Sequence, residues 1–364
     1  MKIDIIAGTR PNFVKIAALI NILDTYKKIS YRLIHTGQHY DDKMSANFFR
    51  DLNIPDPHIN LNVGSMDNAT QTAEIMIRYQ KVIDLKTSIC VVVGDVNSTL
   101  ACAITAKKND IKVAHVEAGI RSFDNEMPEE INRILTDSIT DYFFTTSEKA
   151  NQNLINQGIK KDKIFFVGNT MIDTLKNNIN RLRKPSIWDQ EKLTKNDYFL
   201  LTLHRPSNVD EDLKLIELLD IISESTESTK IIFPVHPRTK KMLKQTKKFR
   251  NIVYTEPLPY LEFNYLLKNS KGVITDSGGI TEEATVLDIP CITHRNSTER
   301  PETISIGTNE LTLLNPSKLL DLIKKINQKK WKKGKIPEKW DGKTAERIIN
   351  HLEAIFKKEK IYDI

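Results

Sequence analysis

The 364-residue sequence contains only three cysteines, Cys90, Cys102 and Cys291, and they lie far apart in the chain. That number and spacing argue against a disulfide-stapled fold or a CxxC metal site, and they indicate the reducing cytoplasm. Long hydrophobic runs are also absent, because no uncharged apolar stretch approaches the roughly 18–20 residues of a transmembrane helix. The first apolar run, Ile3–Ala7, includes Asp4 and predicts a β-strand rather than a signal peptide. We therefore expect no membrane insertion.

The sequence also lacks a GxGxxG fingerprint after its first predicted strand, and no His, Cys or carboxylate cluster has the spacing of a first-row metal site. We therefore expect neither a nicotinamide or flavin cofactor nor a metal. Basic residues are in slight excess, with 54 Lys and Arg against 47 Asp and Glu and a net charge of +7. Much of this excess lies in residues 240–250 and 324–339. Neither segment matches a nucleic-acid-binding module, so we interpret both as solvated surface and expect no nucleic-acid partner.

Short β-branched runs alternate with helical patterns along most of the chain, which is typical of parallel βαβ units. A polar segment at residues 177–197 interrupts the alternation and predicts a linker between domains at residues 1–176 and 198–342. A last amphipathic helix is expected within residues 343–364. The predicted fold class is α/β, with two Rossmann-like doubly wound domains. Ligands of such sheets bind beyond the carboxyl ends of the strands, so the residues after each strand are the candidate site.

Charged residues follow the predicted strands of the first half. The first strand ends at Gly8, which allows a tight turn into a helix, and Arg10 and Lys15 add cations near the start of that helix. Two later strands end in GDVNST and HVEAGIR, which place Asp95 and Glu117 at neighbouring strand ends. Burial opposes the charge of such carboxylates, so they are expected either to cap helices or to transfer protons.

Two further candidates lie on the helix that Pro128 opens. Glu129 and Arg133 are four residues apart on one helix face, where they would form either a surface ion pair or part of the site. The convergence of Asp95, Glu117 and Glu129 on one sheet edge favours acid–base chemistry over coincidence.

In the second half, cationic residues follow two predicted strands. His204 and Arg205 come after the first strand, and His236 comes after the second. A lone histidine is more often structural, but histidine and arginine at successive strand ends favour phosphate binding, because arginine binds phosphate through two hydrogen bonds.

The clearest local motif is the stretch DSGGITEE, in which a strand runs into a helix. Gly278 and Gly279 let the backbone approach an anion, while Ser277 and the helix N-terminus supply donors; the alternative is a small-residue turn needed for packing. Glu283 is placed to accept hydrogen bonds from both hydroxyls of a ribose. Arg295 opens the loop RNSTERPE, whose four charges favour contact with a polar ligand.

The sequence resembles the non-hydrolysing UDP-N-acetylglucosamine 2-epimerases in ten stretches, which are GTRPNFVK, HTGQH, GDVNST, HVEAGIRS, MPEEINR, VGNTMID, LHRPSN, HPRT, DSGGITEEA and STERPE. They run in order from residue 8 to residue 302, so the resemblance covers nearly the whole chain. It implies a glycosyltransferase-B-like fold with the active site in a cleft between the two domains. It also implies a last helix packed on the N-terminal domain, a homodimer, and no cofactor or metal.

The resemblance implies roles for individual residues. The implied ligands of UDP are Arg10, His204, Ser277, Gly278, Gly279 and Glu283. The implied catalytic set is Lys15, Asp95, Glu117, Glu129, Arg133 and His204. Some family members bind a second substrate molecule as an activator near the GQH segment, which makes Gln38 and His39 candidate regulatory residues. The sequence departs from the family at HRPSN, where many members have HRREN, and at TRPN, where many have TRPE.

The implied reaction converts UDP-N-acetylglucosamine (UDP-GlcNAc) to UDP-N-acetylmannosamine (UDP-ManNAc) in the cytoplasm, for surface polysaccharide synthesis. UDP leaves C1, a carboxylate removes the C2 proton to give 2-acetamidoglucal, and UDP adds back after protonation from the other face. Which carboxylate is the base stays open. The alternatives are the same inversion on a modified UDP-amino sugar (a diacetamido uronic acid or a 6-deoxy sugar), a glycosyltransferase of this fold, or a nucleotide-sugar binder without turnover.

Overall fold

The computed structural model describes residues 1–37, 48–235, 237–243 and 249–362. The chain divides into two compact units. The first unit contains residues 1–177 and 338–364, and the second contains residues 178–337.

Among the described residues of the first unit, seven strands form one parallel sheet. They are β1 (Lys2–Ala7), β2 (Ser30–His35), β3 (Ile59–Asn60), β4 (Ile89–Val93), β5 (Lys112–Ala118), β6 (Tyr142–Thr145) and β7 (Ile164–Phe166). Their order is β3-β2-β1-β4-β5-β6-β7, so the direction of winding reverses between β1 and β4. An open parallel sheet binds its ligands at such a reversal, beyond the carboxyl ends of the strands.

The helices that connect or follow these strands include α1 (Arg10–Leu23), α2 (Asn68–Val82), α3 (Asn97–Lys108), α4 (Pro128–Ile139), α5 (Glu148–Asn156) and α6 (Thr170–Asn178), with a short 3₁₀ helix at Lys161–Lys163. Pro11 lies in the first turn of α1, where its missing N–H leaves no helical bond unmade. Ile6, Ile75 and Val92 are fully or almost fully buried in the core that the sheet shares with α2 and α3.

The second unit is built in the same way. Its described strands are β8 (Tyr198–Thr202), β9 (Lys230–Pro234), β10 (Ile252–Thr255), β11 (Gly272–Thr275), β12 (Cys291–Thr293) and β13 (Asn309–Leu311). They form a parallel sheet in the order β10-β9-β8-β11-β12-β13, which reverses between β8 and β11. Its helices are α7 (Ser186–Gln190), α8 (Pro206–Val209), α9 (Asp212–Ser225), α10 (Pro237–Leu243), α11 (Tyr260–Asn269), α12 (Gly278–Val286), α13 (Glu302–Ser305) and α14 (Pro316–Asn327), and a 3₁₀ helix spans Ile179–Arg181.

Two parallel sheets confirm the predicted α/β fold class. Residues 178–197, predicted as a linker, belong to the second unit, because Ile187 and Trp188 of α7 pack against the core around Tyr198 and Leu266. The edge strands β3 and β13, which are only two and three residues long, were not predicted from the sequence.

The last helix, α15 (Thr344–Tyr362), belongs to the first unit. The chain that leads to it packs on the VGNTMID stretch, where Gly168 has a φ of +103° and a Cβ would lie 2.1 Å from the Lys339 carbonyl oxygen. Asp173 Oδ2 accepts a hydrogen bond from the Ala345 N–H at 2.7 Å at the start of α15. The indole of Trp340 is fully buried and donates to the Thr146 carbonyl at 3.1 Å. This stretch therefore serves to dock the returning chain.

Candidate functional site

A buried ion pair lies at the end of β5 in the first unit. Lys15 Nζ of α1 is 2.5 Å from Glu117 Oε2, and both side chains are less than a tenth exposed. Glu117 has a φ of +72°, at an irregularity in the pairing of β5 with β6 between Val116 and Ala118. This left-handed backbone is costly for a residue with a Cβ, and such strain is common where a side chain must be aimed at a ligand.

The turn after β4 lies beside this pair. Gly94 has a φ of +70°, and a Cβ on it would lie 2.9 Å from Lys15 Nζ, so a side chain there would displace the ammonium group. The next residue, Asp95, accepts hydrogen bonds at Oδ2 from Nε and Nη2 of Arg133, at 3.1 and 2.6 Å. The fold thus brings four predicted residues to neighbouring strand ends as two carboxylate–cation pairs.

Arg133 is also oriented by Glu130, which was not among the residues predicted from the sequence. Glu130 Oε2 accepts from Arg133 Nη1 at 2.6 Å, and its carboxylate accepts from the backbone N–H groups of Ser122 and Phe123 at 3.0 Å each. Glu130 and Arg133 are 1% and 3% exposed, so Arg133 is not part of a surface ion pair with Glu129. Glu129 is partly exposed in the first turn of α4. Glu130 and Arg133 are three residues apart on one helix, and this spacing could have predicted their ion pair from the sequence.

Asn12, at the TRPN departure, ties the ends of β1 and β4 together. Its Oδ1 accepts from the N–H groups of Gly8 and Thr9 at 3.1 Å each, and its Nδ2 donates to the Val93 carbonyl at 3.1 Å. A glutamate at this position has no N–H with which to reach Val93. The departure therefore introduces a hydrogen bond between the two strands at which the sheet reverses.

Arg10 is exposed at the start of α1, with its guanidinium 5.7 Å from the centroid of the Phe48 ring. A cation at a helix N-terminus suits an anionic ligand. Three predicted residues, Gln38, His39 and His236, lie outside the described residues.

In the second unit, the buried carboxylate of Asp276 organises the turn after β8. It accepts from the backbone N–H groups of His204 and Arg205 at 3.0 and 2.9 Å and from Asn208 Nδ2 at 3.0 Å. Its Oδ1 also lies 2.7 Å from His204 Nδ1. Burial alone would raise the pKa of Asp276, but the interactions with His204, Arg205 and Asn208 lower it to about 2. Ionised Asp276 thereby fixes the two predicted cationic residues.

Asp276 was not among the residues predicted from the sequence, although its position directly after a strand could have indicated it. The HRPSN departure changes Pro206 and Ser207 but keeps Asn208, which contacts Asp276 and also donates to the His294 carbonyl at 3.2 Å. The departure therefore spares the hydrogen bonds that organise this turn.

Ser277 is at the N-cap position of α12 without a capping hydrogen bond from its side chain, and Gly278 and Gly279 begin the helix after the strand, as predicted. A Cβ on Gly278 would lie 2.9 Å from Arg300 Nη1. The buried Arg300 donates to Glu299 Oε1 at 2.8 Å and forms an ion pair with Glu282. A helix N-terminus beside a guanidinium is suited to bind an anion.

The charged loop around Arg295 is neutralised largely within the protein. Arg295 Nη2 lies 2.7 Å from Glu299 Oε2, with both side chains buried. Glu299 also lies 3.9 Å from Arg205 Nη2, across the turn that Asp276 organises. The four charges that suggested a polar ligand therefore belong in part to an internal network. In this network Glu299 pairs with Arg295 and also lies near Arg205 and Arg300.

Glu283, the predicted ribose ligand, is buried on α12. Its Oε1 accepts from the Tyr260 hydroxyl at 2.8 Å and from Asn264 Nδ2 at 3.4 Å. Burial raises the pKa of Glu283 to about 7, the two hydrogen bonds oppose that rise, and the charge of Glu282 adds to it. Further hydroxyl donors, such as those of a ribose, would stabilise the carboxylate form.

In the part of the chain that the structure describes, no cluster of three or more His, Cys, Asp or Glu side chains could hold a metal ion. In the same part, no helix is both long enough and apolar enough to cross a membrane.

Comparison with known proteins identifies the family. The model of the family described as UDP-N-acetylglucosamine 2-epimerase matches residues 21–353. The UDP-N-acetylglucosamine 2-epimerase of Methanocaldococcus jannaschii is 44% identical over 366 residues, which cover 97% of this chain and 99% of that protein. The chain belongs to the UDP-N-acetylglucosamine 2-epimerase family. The prediction of the family, and of an isomerase, is confirmed.

Solved structures and a second relative place this epimerase-family chain more closely. The crystal structure of the M. jannaschii enzyme in complex with UDP-GlcNAc and UDP has a TM-score of 0.88 and covers 97% of this chain and 100% of that one. A lipopolysaccharide outer core galactosyltransferase has a TM-score of 0.55 at 13% identity, which shows the shared glycosyltransferase-B-like fold alone. The UDP-2,3-diacetamido-2,3-dideoxy-D-glucuronate 2-epimerase of Pseudomonas aeruginosa is 37% identical over 316 residues, 85% of this chain and 88% of that protein.

Proposed function

We propose that this epimerase converts UDP-GlcNAc to UDP-ManNAc by eliminating UDP and adding it back. The observation that carries the proposal is the pair of carboxylate–cation contacts at the ends of β4 and β5, Glu117 with Lys15 and Asp95 with Arg133. The M. jannaschii relative, 44% identical and solved with UDP-GlcNAc and UDP, supports the choice of substrate.

The chemistry of the sugar explains why cations and carboxylates are both needed. The carbon C2 of a 2-acetamido sugar is not next to a carbonyl carbon, so its proton is not acidic in the substrate. When the C1–O bond breaks, its electron pair stays on the diphosphate oxygen and C1 gains positive character, which acidifies the C2–H bond. A carboxylate takes this proton, and the C–H electron pair becomes the C1=C2 double bond of 2-acetamidoglucal. Protonation of C2 on its other face and attack of a diphosphate oxygen on C1 complete the inversion.

In this proposal, Asp95, Glu117 and Glu129 are the groups that exchange protons with C2. Lys15 and Arg133 hold two of these carboxylates in place and contribute positive charge for the developing diphosphate anion. Inversion needs an acid and a base that reach opposite faces of C2, so at least two of the carboxylates must act.

The proposed ligands of the nucleotide in the second unit are the turn after β8 and the N-terminus of α12. His204 and Arg205, both fixed by Asp276, would bind the diphosphate. Ser277, Gly278 and Gly279 would offer donors to a phosphate oxygen, and Glu283 would accept from the ribose hydroxyls.

Turnover in deuterium oxide, followed by NMR, tests the reaction. The product should carry deuterium at C2, because the proton removed on one face exchanges with solvent and the new one arrives on the other. Asp95→Asn and Glu117→Gln should each lower kcat by about 10²–10⁴-fold and release 2-acetamidoglucal and UDP. Complete epimerisation with the original hydrogen retained at C2 would overturn the proposal.

A modified UDP-amino sugar is the second candidate substrate. The P. aeruginosa relative, which is 37% identical and is named for such a sugar, supports this candidate. The values of kcat/KM should be compared for UDP-GlcNAc and for the 2,3-diacetamido uronic acid derivative, without any acceptor. We expect UDP-GlcNAc to be preferred. A preference for the uronic acid would keep the reaction but change the substrate, whereas activity that requires an acceptor would indicate a transferase.

We also propose that the enzyme is a homodimer. The outer face of α4 exposes Ile131, Ile134 and Leu135 to 47%, 37% and 44%, and this apolar stripe supports an interface between two copies. Light scattering after gel filtration should give twice the mass of the chain. The double variant Ile131→Glu, Leu135→Glu should instead give the mass of a single chain. Leu213→Glu, at a residue 76% exposed on α9, is the matched control and should leave the mass unchanged.

The proposed place of the reaction is the cytoplasm, where UDP-ManNAc would feed surface polysaccharide synthesis. The burial of Cys90, Cys102 and Cys291, none of them in a disulfide, supports a reducing compartment. Loss of N-acetylmannosamine from the surface polysaccharide after deletion of the gene would test this role.

A further inference from the structure

His115 is a fully buried histidine on β5, two residues before Glu117. Its Nε2 lies 2.8 Å from the Gly94 carbonyl oxygen, and its Nδ1 lies 2.7 Å from Asp137 Oδ1 of α4. A carbonyl oxygen can only accept a hydrogen bond, so the Nε2–H of His115 donates to the Gly94 carbonyl. The ring thus bridges the turn after β4 on one side and Asp137 of α4 on the other.

Asp137 holds this ring in place. Its Oδ2 accepts from Arg121 Nη2 at 2.6 Å and from the Gly119 N–H at 3.1 Å. Burial alone would raise the pKa of Asp137, but the charges and hydrogen bonds of His115 and Arg121 lower it below its usual range. Arg121 is itself anchored by the Ile120 carbonyl at 2.7 Å. The carboxylate is thus ionised and its partners are buried side chains and backbone.

The turn that His115 holds is the one that carries Asp95. The Gly94 carbonyl accepts from His115, and the Asp95 carbonyl accepts from Asn132 Nδ2 at 2.9 Å. Two consecutive carbonyl groups are therefore clamped by side chains from β5 and α4. Gly94 has a φ of +70°, a region that it adopts without strain, so its own backbone preference does not fix the turn.

We infer that His115 is a positioning residue that sets the backbone of Gly94, and through it the carboxylate of Asp95, for proton transfer at C2. Asp137 acts with it by fixing the orientation of the ring. Both side chains are almost fully buried, so we assign neither of them a contact with the substrate. The inference deepens the proposed function and rests on it, because it assumes that Asp95 takes part in the epimerisation.

Two variants separate positioning from general stability. The amide nitrogen of glutamine lies near the Nε2 position of histidine, and that of asparagine lies near the Nδ1 position. His115→Gln therefore keeps a donor for the Gly94 carbonyl and loses the polar contact with Asp137, whereas His115→Asn does the reverse. Both remove one buried polar contact of the ring and should lower the unfolding midpoint similarly.

Steady-state kinetics give the deciding comparison. His115→Asn should lower kcat by about 10²-fold, because a misplaced catalytic group is costly even when the displacement is small. His115→Gln should retain at least about ten times more of the wild-type kcat than His115→Asn. The KM for UDP-GlcNAc should change little in both, since the proposed nucleotide ligands are untouched. Equal losses of kcat that follow the loss of stability would overturn the inference.

A measurement on the wild-type enzyme needs no variant to fold. With ¹⁵N-labelled histidine, Nε2 of His115 should show an attached proton, because this nitrogen faces the Gly94 carbonyl oxygen. A bare Nε2 would overturn the inference. Wild-type enzyme that shows the Nε2 proton but does not epimerise any UDP-sugar would overturn the proposed function instead.

Discussion

Lys15 Nζ lies 2.5 Å from Glu117 Oε2, and the same ammonium group occupies the space that a side chain at Gly94 would need. The ion pair of α1 and β5 is thus built over the glycine that precedes Asp95. Removal of one partner leaves an uncompensated buried charge, whereas removal of both leaves none. The contribution of this ion pair to the stability of the fold can therefore be measured separately from its contribution to catalysis.

Lys15→Met should destabilise the fold by about 3–5 kcal/mol, because Glu117 then stays buried without its cation. The double variant Lys15→Met with Glu117→Gln should be more stable than the single one, although both should be inactive. Urea denaturation of the four proteins in this cycle measures the coupling. Additive losses of stability would show that the two charges do not depend on each other.

Gly94→Ala should impair catalysis more than stability. Its Cβ would lie 2.9 Å from Lys15 Nζ, a flexible side-chain end that can move, but only by leaving Glu117. Gly64→Ala is the matched control, since Gly64 also has a left-handed φ, +78°, but a Cβ there would meet nothing within 4 Å. Both variants should lose about 1–2 kcal/mol of stability from the backbone conformation. Only Gly94→Ala should lose kcat, and equal activity of the two would contradict this account.

The neighbouring residues Glu129 and Glu130 should respond in opposite ways to the same substitution. Glu130→Gln removes one of the two carboxylate partners of the buried Arg133 and leaves Asp95 in place, so it should cost about 1.5–3 kcal/mol of stability. Glu129→Gln, at a partly exposed position, should leave the thermal midpoint unchanged and lower kcat by about 10²-fold or more if Glu129 exchanges protons. Calorimetry and initial rates on the two variants give the comparison. Full activity of Glu129→Gln would remove it from the catalytic set.

Glu283 should make the stability of the fold depend on pH. Its pKa is raised to about 7 from an ordinary 4.5, so the folded state binds a proton that the unfolded state has already released. The stability that protonated Glu283 contributes to the fold is fully present below about pH 4.5 and is lost as the pH rises to about 7. Glu283→Gln should gain stability relative to the wild type over that range, by up to about 3 kcal/mol. A difference that stays constant from about pH 4.5 to pH 8 would contradict the raised pKa.

Loss of the Glu283 carboxylate should weaken nucleotide binding. Glu283→Ala should reduce the affinity for UDP by about 1.5–3 kcal/mol, the value of hydrogen bonds to a charged group. Calorimetric titration with UDP measures the change. If UDP affinity is unchanged while turnover falls, Glu283 acts on the sugar rather than on the ribose.

Much of the fold could be predicted because local patterns determine local structure. The alternation of β-branched runs with helical patterns predicted the strands that became β1, β4 and β5, and the glycines after them predicted the turns. The edge strands β3 and β13 could not be predicted, because two or three residues are too few to show a period and pair only when a neighbouring strand is present.

The sequence by itself determined which residue types stand at the strand ends, and therefore the class of site that the chain can form. It did not determine which of these residues meet. Asp95 and Arg133 are 38 positions apart, and His204 and Asp276 are 72 positions apart, so their contacts exist only after the strands have paired. The choice of Glu130 over Glu129 as the partner of Arg133, and the contact of His115 with the Gly94 carbonyl, were likewise decided by tertiary structure. Burial makes each unpaired charge or donor costly, and only the packed sheet decides which groups are buried together.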